Sequence, residues 1–229
     1  MKYNFFSPRV CICCEYGAAY DEFPICPECM REFQLLLTRR CVNCGKTARN
    51  CVCSENDKVR FLFFYGTEYA DRIVWKIKYF ASRRDIAFIA GLMVSELNLK
   101  GSSYDAVTFV PRIMIRRWQY GYDQSKVLAE EIAKLIGLPC IKTMRRKGSK
   151  EQKLLSRAER EKNIIGKFKL IRDVSEFDRL LLIDDVSTTG ATVAVCKKLL
   201  HEGGVSSVTP AVISKTILRI NPKGTENER

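Results

Sequence analysis

The chain begins with a cysteine-rich stretch and continues with short apolar runs that alternate with amphipathic segments. The apolar runs predict strands over residues 59–65, 104–111, 180–183 and 205–214. Between them, apolar residues at the helical spacing predict helices over residues 68–81, 85–97, 123–137 and 190–204. Strands that alternate with helices favour the α/β class, with a mostly parallel sheet covered by helices on both faces.

Several single residues indicate where the predicted helices begin and end and which side chains they bury. Asp123 precedes one amphipathic segment as a candidate cap, and Gly137 follows it as a stop signal. In the cysteine-rich stretch, "CPECMREFQLLL" predicts a helix that begins near Pro27. Trp75 lies on the amphipathic helix over residues 68–81 and is predicted to be a core residue.

Length and composition indicate a folded protein of moderate size. The 229 residues are 46% hydrophobic and 28% charged, which excludes a disordered chain and leaves room for one α/β domain with a small appendage. We predict a cysteine-rich domain over residues 1–57 and an α/β domain over residues 58–229. The sequence has no apolar run near 18 residues and no signal-peptide pattern, so we expect a cytoplasmic protein without a membrane span.

Nine of the eleven cysteines fall in the first 53 residues, and eight of them form close pairs. In a cytoplasmic chain such pairs indicate zinc before disulfides, and a structural zinc ion needs two pairs for its tetrahedron. Sequential pairing predicts one site from Cys11, Cys14, Cys26 and Cys29. It predicts a second from Cys41, Cys44, Cys51 and Cys53. Interleaved pairing, or one zinc site with the other cysteines free, are alternatives that spacing leaves open.

The formal net charge of +13 is unevenly distributed. Residues 112–160 hold thirteen lysines and arginines against five acids. Such a span favours an anionic partner, either a polyphosphate or nucleic acid, over the alternative of a solvated basic surface. Trp118 lies in this span beside Tyr120 and Tyr122, where it either stacks on bases of a single strand or packs internally.

The segment "LLLIDDVSTTGATV", residues 180–193, carries the clearest chemistry. A loop between a strand and a helix N-terminus offers free N–H groups to a phosphate, and Gly190 permits close approach. The two acids, Asp184 and Asp185, suit sugar hydroxyls instead. The loop therefore predicts a site for a ribose that carries a 5′-phosphate. It contains neither a Walker motif nor a GxGxxG motif.

"LLLIDDVSTTGAT" resembles the phosphoribosyl-pyrophosphate signature of type I phosphoribosyltransferases. "VPRIMIRRWQYGYDQSKVLAEEIAKLIGLP" and "EQKLLSRAEREKNIIGKFKL" are similar to segments of the ComF family, whose members are associated with competence. Together with the cysteine pairs, which look like that family's double zinc ribbon, the resemblance covers nearly the whole chain. It implies a type I phosphoribosyltransferase fold preceded by a zinc-ribbon domain.

The resemblance also implies roles for particular residues. Asp184 and Asp185 would be catalytic residues that hold the ribose hydroxyls. The 5′-phosphate would be bound by Thr188, Thr189, Gly190, Ala191 and Thr192. Pyrophosphate would be bound by the loop of Val110, Pro111 and Arg112. Residues 145–163 would form a flexible hood, in which Ser156 to Glu159 is a capping box that starts a short helix. Asp123 replaces the family's asparagine, which puts a polyphosphate-binding role at this position in doubt.

Two functions follow as alternatives. The first is an enzyme that transfers the phosphoribosyl group from phosphoribosyl pyrophosphate, with Mg²⁺ stabilising the departing pyrophosphate. The second is a non-catalytic module that binds a nucleotide or single-stranded DNA and partners a DNA-translocating helicase. In both, the resemblance implies a role in DNA uptake during natural transformation.

Overall fold

A computed structural model of the chain describes residues 11–14, 16, 24–41, 43–51, 59–79, 82–112, 123–146 and 166–216. Its α-helices are α1 (Pro27–Thr38), α2 (Glu68–Tyr79), α3 (Arg83–Glu96), α4 (Gln124–Ile136) and α5 (Ala191–Glu202). Its strands are β1 (Arg60–Phe64), β2 (Ala106–Phe109), β3 (Met144–Arg146), β4 (Phe168–Leu170), β5 (Arg179–Ser187) and β6 (Ser207–Lys215). A short 3₁₀ helix spans Ala48–Asn50.

Four strands form a parallel sheet in the order β1-β6-β5-β2. The two central strands, β5 and β6, each have nine residues and are buried along most of their length. Burial on both faces explains why these strands are nearly continuous apolar runs, as is usual in parallel sheets. Cys140 forms a single parallel bridge to Val107 and extends the sheet beyond β2. The predicted α/β class with a parallel sheet is confirmed.

The sheet carries a packed layer on each face. Leu181 and Ile183 of β5 join a core cluster with α2, α3 and α4. Leu180 and Leu182 point the other way and join a cluster with α5 and the antiparallel pair β3–β4. The period-two alternation along β5 therefore places helices on both sides of one strand.

The helix ends follow the local chemistry of the sequence. The predicted cap and stop of α4 are both present: the Asp123 carboxylate accepts the Lys126 N–H at 3.4 Å, and Gly137 adopts a left-handed φ of 73°. Helix α3 begins at Arg83 rather than at the predicted Asp85, because Ser82 and Asp85 form a reciprocal capping box.

Three features differ from the predictions. Strand β5 continues to Ser187 instead of ending at residue 183, because pairing with β6 persists as far as Lys215. The prediction that Trp75 is a core residue is wrong: it is 49% exposed and contacts the Tyr79 ring at 5.7 Å. The face of α2 that is buried carries smaller aliphatic side chains. The β3–β4 pair, which brackets residues 147–165, was not predicted because each strand has only three residues.

The cysteine-rich stretch packs against the edge strand β1 on both faces of the sheet. Phe33 of α1 meets Phe63 edge-on, with ring centroids 5.9 Å apart, in the cluster that contains Cys11 and Cys26. Cys41 and the 3₁₀ helix belong to the cluster on the opposite face. The stretch thus packs side chains against both faces of this edge strand.

Several predictions concern residues outside the described part. These are the hood residues from 147 onward with their capping box, Trp118, and Cys53. The predicted domain boundary after residue 57 also falls in such a gap, residues 52–58. Within the described helices, none combines the length and apolarity that a membrane crossing requires.

Candidate functional site

Four cysteines converge on one point in the N-terminal stretch. The thiols of Cys11, Cys14, Cys26 and Cys29 all lie within 4.8 Å of one another. Backbone N–H groups of Cys13 and Cys26 donate to the Cys11 sulfur at 3.3 Å and fix its position in the group. Four thiolates at these separations fit the tetrahedral shell of a structural Zn²⁺ and leave no position for a substrate. This grouping corresponds to sequential pairing.

A second group contains Cys41, Cys44 and Cys51, whose thiols also lie within 4.8 Å of one another. The turn between the first two is closed by the Gly45 N–H, which donates to the Cys41 carbonyl at 2.9 Å. Gly45 has a φ of 67°, which favours glycine at this position. These three thiols can hold zinc with one further ligand, for which the sequence offers Cys53.

The other cysteines of the sheet region are packed thiols. Cys196 lies on the buried face of α5, and burial raises its pKa. Burial also raises the pKa of Cys140 to about 11. Both groups therefore remain protonated at neutral pH, which suits packing and not metal binding or nucleophilic chemistry.

The two acids of β5 have different environments. Asp184 is 9% exposed, accepts the Ser125 hydroxyl at 2.8 Å, and accepts the Asp185 N–H at 2.9 Å. Burial, reinforced by the charge of Asp185, raises the pKa of Asp184 to about 8. At neutral pH Asp184 is therefore mostly protonated, which lowers the negative charge that the pair presents.

Asp185 is held by two cations from other parts of the chain. The guanidinium of Arg112 donates to its Oδ2 atom, and Lys78 Nζ lies 3.9 Å from the same oxygen. Gln124 at the start of α4 donates to the Lys78 carbonyl, which ties the end of α2 to the site. The structure thus brings the predicted Arg112 to the predicted Asp185, and it adds Lys78, Gln124 and Ser125, which sequence reasoning missed.

The substitution at position 123 has a structural explanation. Asp123 is 5% exposed and accepts the Arg112 N–H at 3.4 Å while it also caps α4. Its carboxylate therefore fixes the backbone of the loop that contains Val110 and Pro111. The position acts on this loop through the backbone of Arg112.

The predicted phosphate loop lies between β5 and α5. Thr188 and Thr189 are exposed, and Gly190 has a φ of 78°. The first helical bond joins the Ala194 N–H to the Gly190 carbonyl, so the N–H groups of residues 191–193 precede the helical ladder. The Thr189 hydroxyl accepts one of them, from Ala191, at 3.4 Å. The remaining donors and the helix dipole favour an anion at this end.

Two buried polar groups lie beside this loop. The Ser187 hydroxyl is buried and has no hydrogen-bond partner among the described residues. Lys215 is 5% exposed and is paired with Ser187 in the register of β5 and β6. A buried hydroxyl and a buried cation at the carboxyl ends of two parallel strands add to the attraction for an anionic ligand.

Gly190→Ala is expected to lower the free energy of unfolding by about 1–2 kcal/mol, because an alanine Cβ is strained at a φ of 78°. Chemical denaturation measures the effect. The control is Gly91→Ala inside α3, where an added Cβ meets nothing within 4 Å. That variant is expected to gain about 0.5–1 kcal/mol. Equal effects of the two changes would contradict a left-handed loop residue.

Asp184→Asn is expected to reduce the pH dependence of stability. The wild-type carboxyl stays protonated in the folded state up to about pH 8, whereas it ionises near pH 3.9 when unfolded. Since the unfolded state then binds fewer protons, the wild type loses stability as pH rises through this window. The amide cannot ionise, so its advantage in thermal midpoint should grow from pH 5 to pH 8. A constant difference would rule out a neutral Asp184, and Asp178→Asn on the exposed surface is the control.

The chain is similar to known bacterial proteins along nearly its whole length. The chain is 27% identical over 223 residues to Competence protein F of Haemophilus influenzae, covering 90% of this chain and 96% of that protein. The resemblance to the ComF family is confirmed. DNA utilization protein YhgH of Salmonella typhimurium is 25% identical over 92% of this chain and 98% of its own length. The corresponding Escherichia coli K12 protein is 24% identical over the same shares. No protein-family model matches the chain.

Solved structures with some likeness include the allosteric regulatory enzyme of purine biosynthesis, at a TM-score of 0.46 and 19% identity. That match covers 68% of this chain but only 34% of the enzyme's chain. A purine phosphoribosyltransferase from Pyrococcus horikoshii matches at a TM-score of 0.39 and 15% identity, covering 59% of this chain and 76% of that one.

Proposed function

We propose that this ComF-like protein binds phosphoribosyl pyrophosphate, or a related sugar phosphate, together with Mg²⁺. The observation that carries the proposal is the junction of β5 and α5. There a carboxyl pair precedes a loop and helix start whose N–H groups are available to an anion, and a guanidinium lies next to the carboxyl pair. The acids suit the two ribose hydroxyls, the loop suits the 5′-phosphate, and Arg112 suits pyrophosphate.

The roles divide by charge. Thr188 to Thr192 would hold the 5′-phosphate with backbone donors and hydroxyls, assisted by the buried Lys215. Asp185 would accept hydrogen bonds from the sugar, and neutral Asp184 can both donate and accept. A neutral Asp184 reduces repulsion between the acids and the ligand's phosphates.

Magnesium fits the oxygen-rich character of this strand end. Mg²⁺ prefers carboxylate and phosphate oxygens and retains several waters, so it needs few ligands from the protein. Among the described residues only the cysteines form groups of three or more potential metal ligands. Asp185 would therefore supply part of the shell, and the pyrophosphate oxygens and waters the rest. Bound Mg²⁺ would neutralise charge that develops on the leaving pyrophosphate.

We further propose a role in DNA uptake. The relatives that match along nearly their whole length are named for competence and for DNA utilization. The formal net charge of +13 suits a nucleic-acid partner.

A second candidate function is a non-catalytic module that binds nucleotide and single-stranded DNA and partners a DNA-translocating helicase. One observation favours it: an open cleft beside the second cysteine group is lined by Arg40, Lys46, Thr47 and Asn50. These side chains supply two cations and two hydrogen-bond donors, a set that suits a phosphodiester backbone. Binding to a single-stranded oligonucleotide should weaken steeply with salt if this candidate is right.

Calorimetric titration with phosphoribosyl pyrophosphate and Mg²⁺ tests the principal proposal. Binding is expected to release heat at a stoichiometry of about one, and magnesium pyrophosphate alone should bind more weakly because it lacks the sugar and its 5′-phosphate. Absence of binding would refute the proposal. Release of pyrophosphate in the presence of a panel of nucleobases then separates the two functions, since a binding module releases none.

A further inference from the structure

Both oxygens of the Asp185 carboxylate are already engaged within the fold. The Val186 N–H donates to Oδ1 at 2.8 Å, and the Arg112 guanidinium donates to Oδ2. Lys78 adds a second cation 3.9 Å from Oδ2. The Asp185 carboxylate therefore already has a partner on each of its oxygens. A sugar hydroxyl that approaches Asp185 must compete with them.

The side chain is the part of Arg112 that can change its hydrogen-bond partner, because the backbone of this residue is held. Its backbone N–H donates to the buried Asp123, and two residues earlier the Val110 N–H donates to the Ile183 carbonyl at 3.0 Å. These bonds hold the loop against β5 and α4. The Arg112 side chain is 18% exposed, and single bonds link its guanidinium to the backbone, so the guanidinium can rotate away while the loop stays in place.

The energetics of that rotation depend on the ligand. A partly buried guanidinium that loses its carboxylate and gains nothing is strongly unfavourable. Ribose 5-phosphate brings an anion to the loop at residues 188–192 and none to Arg112. A ribose 5-phosphate with an anionic group on C1 supplies an anion to the loop and another to Arg112. The new contact with Arg112 then offsets the free energy lost when the ion pair breaks.

We propose that the Arg112–Asp185 ion pair acts as a specificity gate: the pair breaks, and frees Asp185, only when the sugar phosphate also presents an anion to Arg112. The inference rests on the proposed function and names the ligand class of the same site: 5-phosphoribose with an anionic group on C1. Arg112 is then a specificity-determining residue, because it excludes the unsubstituted sugar phosphate as well as binding pyrophosphate.

The gate predicts cooperativity between two fragments of the ligand. Magnesium pyrophosphate draws Arg112 away from Asp185 and leaves Asp185 available to ribose hydroxyls. Ribose 5-phosphate should therefore bind to the wild type about tenfold more tightly when pyrophosphate is saturating, a coupling within the usual range. Independent binding or mutual competition would overturn the gate. This measurement requires no substitution.

Arg112→Met separates the gate from a simple contact. Without the guanidinium, Asp185 retains Lys78 as its partner but is open to the sugar. Ribose 5-phosphate should bind this variant about tenfold more tightly than the wild type, and its coupling to pyrophosphate should vanish. Phosphoribosyl pyrophosphate should bind more weakly. If Arg112 did nothing except contact pyrophosphate, the affinity for ribose 5-phosphate would be unchanged, and that result overturns the inference.

The control is Arg179→Met, at the opposite end of β5, where the guanidinium lies 3.8 Å from exposed Asp178. It should alter none of these affinities. Failure of phosphoribosyl pyrophosphate to bind the wild type would refute the proposed function itself. Binding of that ligand without fragment cooperativity would refute the gate alone. Should Arg112→Met fail to fold, the wild-type cooperativity decides the question.

Discussion

Cys26→Ser is expected to remove one zinc ion per chain and to lower the thermal midpoint by about 10 °C. Cys26 is 3% exposed, belongs to the first group of four thiols, and directly precedes α1. Structural zinc contributes its binding free energy to folding, so loss of a ligand lowers the free energy of unfolding by several kcal/mol. In a chain of this size each kcal/mol corresponds to about 2–4 °C.

Metal content by atomic emission and thermal unfolding together test this expectation. Cys140→Ser is the matched control, because that thiol is half-buried and lies outside both cysteine groups. Wild-type protein is expected to contain two zinc ions, and Cys41→Ser should lose the other one. If Cys26→Ser keeps its full zinc content, the first site has been assigned to the wrong ligands.

Asp185→Asn is expected to weaken the binding of phosphoribosyl pyrophosphate by about 100-fold. The amide removes the charge that strengthens hydrogen bonds from the ribose hydroxyls, and charged hydrogen bonds contribute about 1.5–3 kcal/mol each. It also leaves Arg112 and Lys78 without the carboxylate that they share. Calorimetric titration in the presence of Mg²⁺ gives the affinity directly.

The matched control is Asp178→Asn, an exposed aspartate at the other end of the same strand. It removes the same charge from the chain and should change affinity less than twofold. A similar loss in both variants would show that overall charge, and not the carboxylate of Asp185, determines binding. An unchanged affinity in Asp185→Asn would contradict a sugar-binding role for this acid.

Local sequence signals predicted the strand, the loop and the helix that form the site. The strand, the loop with Gly190 and the following helix are adjacent in sequence, so hydrophobic period and turn chemistry suffice to place them. Asp123 and Gly137 likewise marked the ends of α4 because capping is a short-range interaction. The same reasoning placed Trp75 in the core, because periodicity identifies the apolar stripe of a helix but not its outer limit.

The electrostatics of the site could not be predicted in this way. The protonation of Asp184 depends on burial and on the charge of Asp185, and it is opposed by the hydroxyl of Ser125, which donates to the carboxylate from 59 residues away in sequence. The neutralisation of Asp185 depends on Lys78 and Arg112, which come from two other elements. No periodic pattern marks such pairs. Only the fold decides which cations reach which acids, and hence how much charge a ligand meets.

The position of the cysteine groups on β1 links zinc binding to the tendency of the protein to aggregate. β1 is an edge strand of the sheet, and the two cysteine groups belong to the clusters that pack against its two faces. If the cysteine groups bind zinc, loss of the ions would loosen the side chains that cover Phe61 and Phe63 and would open this edge strand to pairing with other copies. Zinc-depleted protein is then expected to aggregate more readily than zinc-loaded protein.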